Sequence, residues 1–438
     1  MSLKQFVEKL DKQGKLLRIK KKPEADLEAA ALIKEFNSRP LLFENGTTES
    51  DVPFVANVYS TKPLVADYFD IQPTELIPKL VCALEKPSDP ADWKGGTAPC
   101  QEVVENNVDL HALPIIKCYA GEGGRYLSSG IYFASDAQLG QNASYHRSLV
   151  ISKNRFAFRM LPRHLAEFKK RAGGAIDAAV CVGVGANVAL AGAMSVELGL
   201  DEMRIANALE PLKMVKCKTI DVRVPADAEF VLEGRILNET SIEGPFVDLT
   251  ETMDVQRPAE PVFEVRCVTH RREAFWHNVL QGGLEHKILM GMPREPTIYS
   301  EVNKVCECVD VNITPGGCSW LHAVVKIKKK KEDDGRKAID AAFNGHKSMK
   351  RVVIVDDDVD ILDANEVEWA IATRFQADKN LVILPGQKGS SLDPSSEPGT
   401  HLTCKWGLDA TKPLVTKGKD FSKVRAPKTD SKKFLQCG

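Results

Sequence analysis

The sequence contains no uninterrupted apolar run of roughly 18 residues, so we expect no segment that crosses a membrane. It also has no excess of either charge, because 59 Lys and Arg residues face 60 Asp and Glu residues. A dedicated nucleic-acid surface would show a basic excess, which argues against that class of function. The eleven cysteines are an odd number without a regular framework. With no apolar leader at the N-terminus, this pattern predicts free thiols and a cytoplasmic location.

The composition is that of a globular protein with more than one core. The chain has 438 residues, of which 43% are hydrophobic and 27% charged. This length exceeds one ordinary core, so two or three domains are expected. Residues 86–100 are rich in Pro, Asp and Gly and form a plausible boundary. We predict an N-terminal α/β region over 1–100, a central domain over 101–300 and a C-terminal α/β domain over 301–438.

The central segment is dominated by strand patterns. Apolar or alternating runs are found at 126–134, 147–152, 156–160, 178–184, 221–224, 229–236, 262–269 and 274–278. Many strands with few helices favour a barrel or a sandwich. After residue 301, strands alternate with helices, which predicts a small α/β domain. The Lys-rich stretch from Thr416 onward has few apolar positions and is expected to be an extended tail, with docking on a neighbouring subunit as one option.

Three short segments carry most of the candidate chemistry: Asn142-Ala-Ser-Tyr-His-Arg147, Leu200-Asp-Glu202 and Glu243-Gly-Pro-Phe-Val-Asp248. Asn142 and Glu202 offer oxygen atoms of the kind that a hard divalent cation prefers. Arg147 could lie between the carboxylates of the third segment, so that one stays ionised while the other titrates as an acid. None of these spacings is a metal-site motif. Two purely structural interpretations remain open. Asn142 could cap a turn, and Glu202 could lie at a helix start, where an acidic side chain favours the helix dipole.

The same segments resemble the UbiD family of decarboxylases, which are reversible carboxy-lyases that use prenylated FMN. Further segments agree with the family in order and rough spacing, namely 215–219, 224–234, 353–359 and 407–411. The resemblance runs from about residue 100 to the C-terminus and is looser before it. It implies an α+β fold in which a central split β-barrel of the flavin-reductase type is flanked by the N-terminal region and the C-terminal domain.

The resemblance also implies a cofactor site with a divalent metal, usually manganese, that bridges to the cofactor phosphate. The metal ligands would be Asn142 and Glu202, with His164 as a third candidate that is equally well read as a surface histidine. A potassium ion is a further candidate. The predicted cofactor-binding residues are Tyr145, His146, Arg147, Arg159, Met160, Leu161, Arg163 and His164.

For catalysis, the resemblance implies an Arg147–Glu243 ion pair and Asp248 as the proton donor. The pKa of Asp248 is expected to be raised by Glu243 and by desolvation. Prenylated FMN would provide the electron sink. The chain departs from the common family pattern at Val247, where glycine is frequent, and no tyrosines follow the segment.

Two substrates are therefore considered. The first is trans-anhydromevalonate 5-phosphate, the substrate of archaeal members, which would give isopentenyl phosphate. The second is a 4-hydroxybenzoate derivative. A phosphorylated substrate needs a second cationic subsite, for which Arg125 or Lys287 is a candidate. His286, beside Lys287, is interpreted as lining either the pocket or a subunit contact. The alternative from another class is a non-catalytic flavin-binding assembly protein. The expected partners are a flavin prenyltransferase that provides the cofactor and further copies of this chain in a homodimer or larger homo-oligomer, with 405–409 as the contact from the C-terminal side of the active site.

Overall fold

A computed structural model describes residues 1–416, 418–424 and 427. Both strands and helices are present between Leu3 and Ala410, which gives a mixed α+β fold as expected. The strands are β1 (Leu17–Ile19), β2 (Leu41–Phe43), β3 (Phe54–Ala56), β4 (Ala91–Asp92), β5 (Val103–Glu105), β6 (Tyr126–Leu127), β7 (Ile131–Asp136), β8 (Gly140–Tyr145), β9 (Ser148–Ser152), β10 (Arg155–Phe158), β11 (Ile176–Val182), β12 (Lys213–Lys216), β13 (Arg223–Pro225), β14 (Phe230–Glu243), β15 (Phe246–Val247), β16 (Met253–Asp254), β17 (Arg257–His270), β18 (Trp276–His277), β19 (Glu307–Ile313), β20 (His322–Lys328), β21 (Arg351–Asp356), β22 (Leu381–Lys388) and β23 (Leu402–Ala410).

The helices are short and mostly lie between strands. They are α1 (Leu3–Lys12), α2 (Glu28–Glu35), α3 (Lys62–Tyr68), α4 (Leu76–Glu85), α5 (His164–Arg171), α6 (Ala186–Ala191), α7 (Glu202–Leu209), α8 (Leu284–Gly291), α9 (Glu295–Asn303), α10 (Asp334–Gly345), α11 (Ala364–Arg374) and α12 (Ala377–Asn380). None of the helices in the described ranges is both long enough and apolar enough to span a bilayer.

The N-terminal sheet is completed by a strand from far along the chain. Its order is β1-β2-β3-β18, so that Trp276 pairs with Phe54 in parallel register. Phe54 stacks on Phe43 with a centroid distance of 4.1 Å. The helix α1 begins at a capping box in which Ser2 and Gln5 satisfy each other's backbone N–H groups. These contacts fasten the first residues to the centre of the molecule.

The central sheet has nine strands in the order β6-β9-β10-β17-β14-β11-β7-β8, with β5 paired to β17. The strand β11 is central and buried, between β14 and β7. Within the described residues no backbone pairing joins β6 to β8, so the strands do not close a hydrogen-bonded barrel. The expected split barrel therefore stays a prediction.

The C-terminal sheet has five strands in the order β19-β20-β21-β23-β22. Its inner strands β20, β21 and β23 are parallel, whereas β19 and β22 run antiparallel at the two edges. The helix α10 packs on one face and α11 on the other, and each face has its own apolar cluster. The described part of the tail lies on its own chain, because Lys423 pairs with Glu366 at 2.6 Å. The rest of the predicted tail lies outside the described residues.

Candidate active site

A cavity of about 820 Å³ lies where the central sheet, the segment around α8 and the C-terminal sheet meet. This volume is in the range of cofactor and small-ligand sites. Its lining combines polar and apolar side chains from residues far apart in the sequence. The lining includes Asn142, Ser144, Tyr145, His146, Arg147, Arg159, Leu161, Arg163, His164, Ala193, Glu202, Phe246, Asp248, His286, Arg294, Trp320, Lys388, Ser390 and His401.

The guanidinium of Arg147 occupies one end of this cavity. Arg147 follows β8, and its Nε and Nη2 donate to the two oxygens of Glu243, at the end of β14, over 2.9 and 3.0 Å. Its Nη1 donates to Asp248 Oδ2 at 3.1 Å, and its face lies 4.5 Å from the ring centroid of Phe246. Two-pronged pairing of this kind fixes both position and charge. The structure thus brings together all three residues that the sequence proposed for catalysis.

Glu243 is completely buried, and its surroundings hold it in place. The hydroxyl of Tyr126 donates to Glu243 Oε1 at 3.1 Å and accepts the N–H of Gly244 at 3.0 Å. Burial raises the pKa of Tyr126, so this hydroxyl stays protonated. Gly244 has a φ of +93°, and a Cβ there would lie 2.8 Å from the carbonyl oxygen of Val255. Only glycine fits this turn, which directs the following residues back over Arg147.

A third acidic residue, Asp254, joins this group and had not been predicted. Its Oδ2 accepts hydrogen bonds from Arg147 Nη2 at 2.8 Å and from Arg159 Nη1 at 2.9 Å, while Arg257 Nη2 contacts both of its oxygens. Burial opposes the ionisation of Asp254, but the hydrogen bond from Arg257 and the charges of Arg147 and Arg159 lower its pKa overall. Three guanidiniums therefore face three carboxylates, and Asp254 links Arg147 to Arg159.

The predicted metal residues converge on a second part of the cavity. Asn142 Nδ2 donates to Glu202 Oε1 at 3.0 Å, and the N–H of Ala143 donates to Glu202 Oε2 at 2.8 Å. The Nδ1 atom of His164 lies 3.7 Å from Glu202 Oε1. No three His, Cys, Asp or Glu side chains in the described ranges cluster as a metal site by themselves. An amide, a carboxylate and an imidazole nevertheless form a donor set that suits Mn²⁺ when other oxygen ligands are added.

The predicted cofactor residues line the cavity with one exception. Tyr145, Leu161 and Arg163 belong to the wall, whereas Met160 packs against the apolar core beneath it. The wall position of His146 is fixed by Ser144 and by the carbonyl oxygen of Arg159 at 2.9 Å. Burial lowers the pKa of His146 to about 4, so its imidazole is neutral near pH 7.

The two residues suggested for a second cationic subsite do not line the cavity. Arg125 pairs with Glu49 and with Asp26 Oδ1, the latter at 2.7 Å. Lys287 pairs with Glu251 at 2.5 Å. Their charges are therefore neutralised by neighbouring carboxylates, and the expectation of a subsite at either residue is wrong.

Sequence reasoning missed most of the wall opposite the central sheet. His286 lines the cavity, which is one of the two interpretations that the sequence left open; Gly282 N–H donates to its Nδ1 at 3.1 Å, which places the proton on Nε2. Burial lowers the pKa of His286, while the negative charge of Asp248 opposes this lowering. The C-terminal domain contributes Trp320 and 388–392 to the wall. The expected 405–409 contact forms part of β23 instead and is absent from the lining.

Comparisons with known proteins decide the family. The family model described as the 3-octaprenyl-4-hydroxybenzoate carboxy-lyase N-terminal domain matches residues 7–84, the corresponding Rift-related domain matches 92–284, and the corresponding C-terminal domain matches 287–410. The chain belongs to the UbiD family. It is therefore a carboxy-lyase, and the arrangement around Arg147 belongs to a UbiD-family decarboxylase.

Several similar curated proteins carry the same name. The chain is 39% identical over 431 residues to the anhydromevalonate phosphate decarboxylase of Methanothermobacter thermautotrophicus, an alignment that covers 96% of this chain and 99% of that protein. It is 37% identical over 401 residues to the protein of the same name from Methanocaldococcus jannaschii, with coverage of 90% and 94%.

Among solved structures, the fold is similar to that of the UbiD-class enzyme HmfF from Pelotomaculum thermopropionicum in complex with FMN. The TM-score is 0.92 at 36% identity, covering 100% of this chain and 99% of that chain. An evolved dimeric form of HmfF in complex with prenylated FMN gives a TM-score of 0.88 at 35% identity, with the same coverage. The similarity extends over the whole chain, so it includes every element that forms the cavity.

Proposed function

We propose that this UbiD-family member uses prenylated FMN to decarboxylate trans-anhydromevalonate 5-phosphate and forms isopentenyl phosphate. The single observation that carries the proposal is the Arg147–Glu243–Asp248 arrangement at the end of a cavity large enough for a flavin. The named activity of the curated relatives supports the substrate. The complexes of HmfF with FMN and prenylated FMN support the cofactor.

The cavity fits such a cofactor at two places. The wall formed by Tyr145, His146 and Leu161 presents ring and aliphatic surface for a planar ring system. Asn142 and Glu202 would hold Mn²⁺ against the phosphate, with His164 as third protein ligand and K⁺ as a further ion nearby. We assign this cradle to a split barrel formed by the nine-stranded sheet within a domain over 101–300, between domains over 1–100 and 301–438. When bound, prenylated FMN supplies the electron sink for loss of carbon dioxide.

The chain's own residues hold the substrate carboxylate and provide the proton. Arg147 has one Nη1 hydrogen that none of its three acidic partners receives, and this N–H is available for a carboxylate oxygen. Asp248 has a side-chain exposure of 16%, against none for Glu243, so it is the acid that can reach substrate. Asp248 donates a proton to the carbon that loses carbon dioxide, and solvent then restores that proton. Glu243 keeps Arg147 charged and oriented throughout.

Closure of the cavity would exclude water during this step. Trp320 and 388–392 approach the central sheet from the C-terminal domain, so a small movement of that domain changes access to the wall. We further propose that the chain forms at least a homodimer in the cytoplasm and obtains its cofactor from a flavin prenyltransferase.

The test uses chain co-expressed with a flavin prenyltransferase and a panel of unsaturated acids. The holoenzyme is expected to release carbon dioxide from trans-anhydromevalonate 5-phosphate in preference to 4-hydroxybenzoate derivatives. Asp248→Asn should retain the cofactor spectrum but lose turnover and solvent deuterium incorporation into product, because an amide cannot provide the proton. The matched control is Asp177→Asn, whose carboxylate pairs with Arg235 away from the cavity. Carbon dioxide release from the aromatic acids alone would contradict the proposed substrate. An active Asp248→Asn enzyme would contradict the assignment of Asp248 as the proton donor.

A further inference from the structure

Arg294 is a cation in the cavity wall that no carboxylate of the described residues pairs with. It ends the single turn that connects α8 to α9, and it forms no ion pair within the described residues. Its Nη2 donates to the carbonyl oxygen of Ala193 at 3.1 Å, while its Nε is buried and has no hydrogen-bond partner in the part of the chain that the structure describes. A buried guanidinium with unused donors is costly unless an anion approaches it.

The other cations of the cavity differ from Arg294 in this respect. Arg147 and Arg159 are neutralised by the acidic group that includes Asp254. Arg163 and Lys388 are exposed, so water solvates them. Burial and the nearby charge of Arg163 lower the pKa of Arg294 to about 10, which leaves it charged at pH 7. The positive charges of Arg294 and Arg163 repel each other beside the cavity. A multiply charged anion bound between them would remove this repulsion.

The position of Arg294 is fixed before any ligand arrives. Its guanidinium lies 5.4 Å from the ring centroid of Trp320, and Trp320 Nε1 donates to Ser390 at 3.0 Å. The next residue, Glu295, pairs with Lys62 at 2.8 Å and accepts the N–H of Ile313 at 2.8 Å. Contacts on both sides therefore hold the Arg294 guanidinium in the cavity wall. Less side-chain conformational entropy is then lost when an anion binds.

We propose that Arg294, assisted by Arg163, binds the phosphate group of the substrate at the end far from the reacting carboxylate. This inference rests on the proposed function and adds the subsite that separates a phosphorylated acid from an unphosphorylated one. A guanidinium fork matches phosphate oxygens in two-pronged fashion.

The phosphate could in principle belong to the cofactor instead of the substrate. The position of Arg294 favours the substrate, because Arg294 follows His286 by eight residues on the wall that faces Asp248. The helical residues up to Gly291 and the three-residue 3₁₀ turn after them advance the chain by about 13 Å, which places Arg294 away from the reacting end on the same wall. The cofactor phosphate is assigned to Asn142 and Glu202, on β8 and α7.

The experiment compares Arg294→Gln and Arg294→Lys with the parent holoenzyme on two acids, trans-anhydromevalonate 5-phosphate and the same acid without its phosphate. Arg294→Gln is expected to lower kcat/KM for the phosphorylated acid roughly 100-fold, mainly through KM, while the value for the unphosphorylated acid stays within threefold. Arg294→Lys should recover part of the loss, because it keeps the charge but not the fork. The control Arg125→Gln removes a paired surface arginine and should change neither value.

Three results would overturn the inference. Equal losses for both acids would give Arg294 a structural role, loss of the cofactor spectrum in Arg294→Gln would assign it to the cofactor phosphate, and no loss would exclude it. If the parent turns over neither acid, the proposed function fails separately. Calorimetric titration of isopentenyl phosphate into holoenzyme then decides the subsite: binding that Arg294→Gln weakens at least tenfold supports it, and equal binding refutes it.

Discussion

Replacing Glu243 by glutamine tests the electrostatic centre of the site most directly. The substitution keeps the shape of a fully buried side chain but replaces one carboxylate oxygen by an NH₂ group that faces a guanidinium N–H. One charge-assisted hydrogen bond is lost, and the remaining bond becomes weaker because its acceptor is neutral. Charge-assisted bonds contribute about 1.5–3 kcal/mol each, so we expect a loss of about 3 kcal/mol in the positioning of Arg147.

In the rate, about 3 kcal/mol corresponds to a fall of roughly 150-fold in kcat/KM. The cofactor should remain bound, because Glu243 lies apart from Asn142 and Glu202. The assay measures carbon dioxide release by holoenzyme together with the visible spectrum of the cofactor. The matched control is Glu239→Gln on the same strand β14, which removes half of an exposed pair with Arg155. Exposed pairs contribute about 0–1 kcal/mol, so this control should retain nearly full activity.

A Glu243→Gln enzyme with intact cofactor and activity within threefold of the parent would refute the reasoning. It would mean that Asp248 and Asp254 alone orient Arg147. A variant that loses both activity and cofactor would show instead that Glu243 supports the wall as a whole, and the ion pair would then have no separate catalytic effect.

Two further changes test other parts of the molecule. Glu202→Ala should lower cofactor retention and manganese content together, since a carboxylate that would hold the metal is lost; metal analysis and the visible spectrum check this, and full occupancy of both would contradict the metal site. Burial, and to a smaller extent the charge of Arg294, lower the pKa of His346 from 6.5 to about 3. The stability that the neutral imidazole of His346 contributes is therefore complete above pH 6.5 and is lost as the pH falls towards 3. The loss reaches about 2 kcal/mol by pH 5. Thermal unfolding of parent and His346→Gln at pH 7 and pH 5 should show less acid sensitivity in the variant, and parallel losses would exclude His346 as the cause.

The sequence predicted the strands with regular apolar patterns and missed those without them. Residues 178–184 and 262–269 correspond to parts of β11 and β17, which lie in the middle of the central sheet. The strand β8, which carries Asn142, was missed because Gly140-Gln-Asn-Ala-Ser-Tyr145 has few β-formers. It is an edge strand, and its pairing with β7 is a tertiary effect that local patterns do not contain.

The residues of the site likewise fall into those that the sequence predicts and those that it does not. Arg147, Glu243 and Asp248 stand in segments whose residue order is informative, so they could be named from the sequence. Asp254 reaches Arg147 only because β15 and β16 form a hairpin that folds back over it. No local pattern distinguishes Arg294 either, since its lack of a partner is visible only when every carboxylate around it has been placed.

The charges of the site form a balance that links substrate binding to proton transfer. Arg147, Arg159 and Arg257 carry three positive charges, and Glu243, Asp248 and Asp254 carry three negative ones when ionised. A substrate carboxylate beside Arg147 adds a fourth negative charge in a buried place, and one proton on Asp248 restores neutrality. We therefore expect the holoenzyme to take up about one proton as the acid binds, and Asp248 to be loaded for donation by binding itself. Calorimetry of the binding of an unreactive, substrate-like carboxylic acid in buffers with different heats of ionisation measures this uptake. Asp248→Asn should abolish it while Asp177→Asn retains it, and equal uptake in both variants would assign the proton to another group.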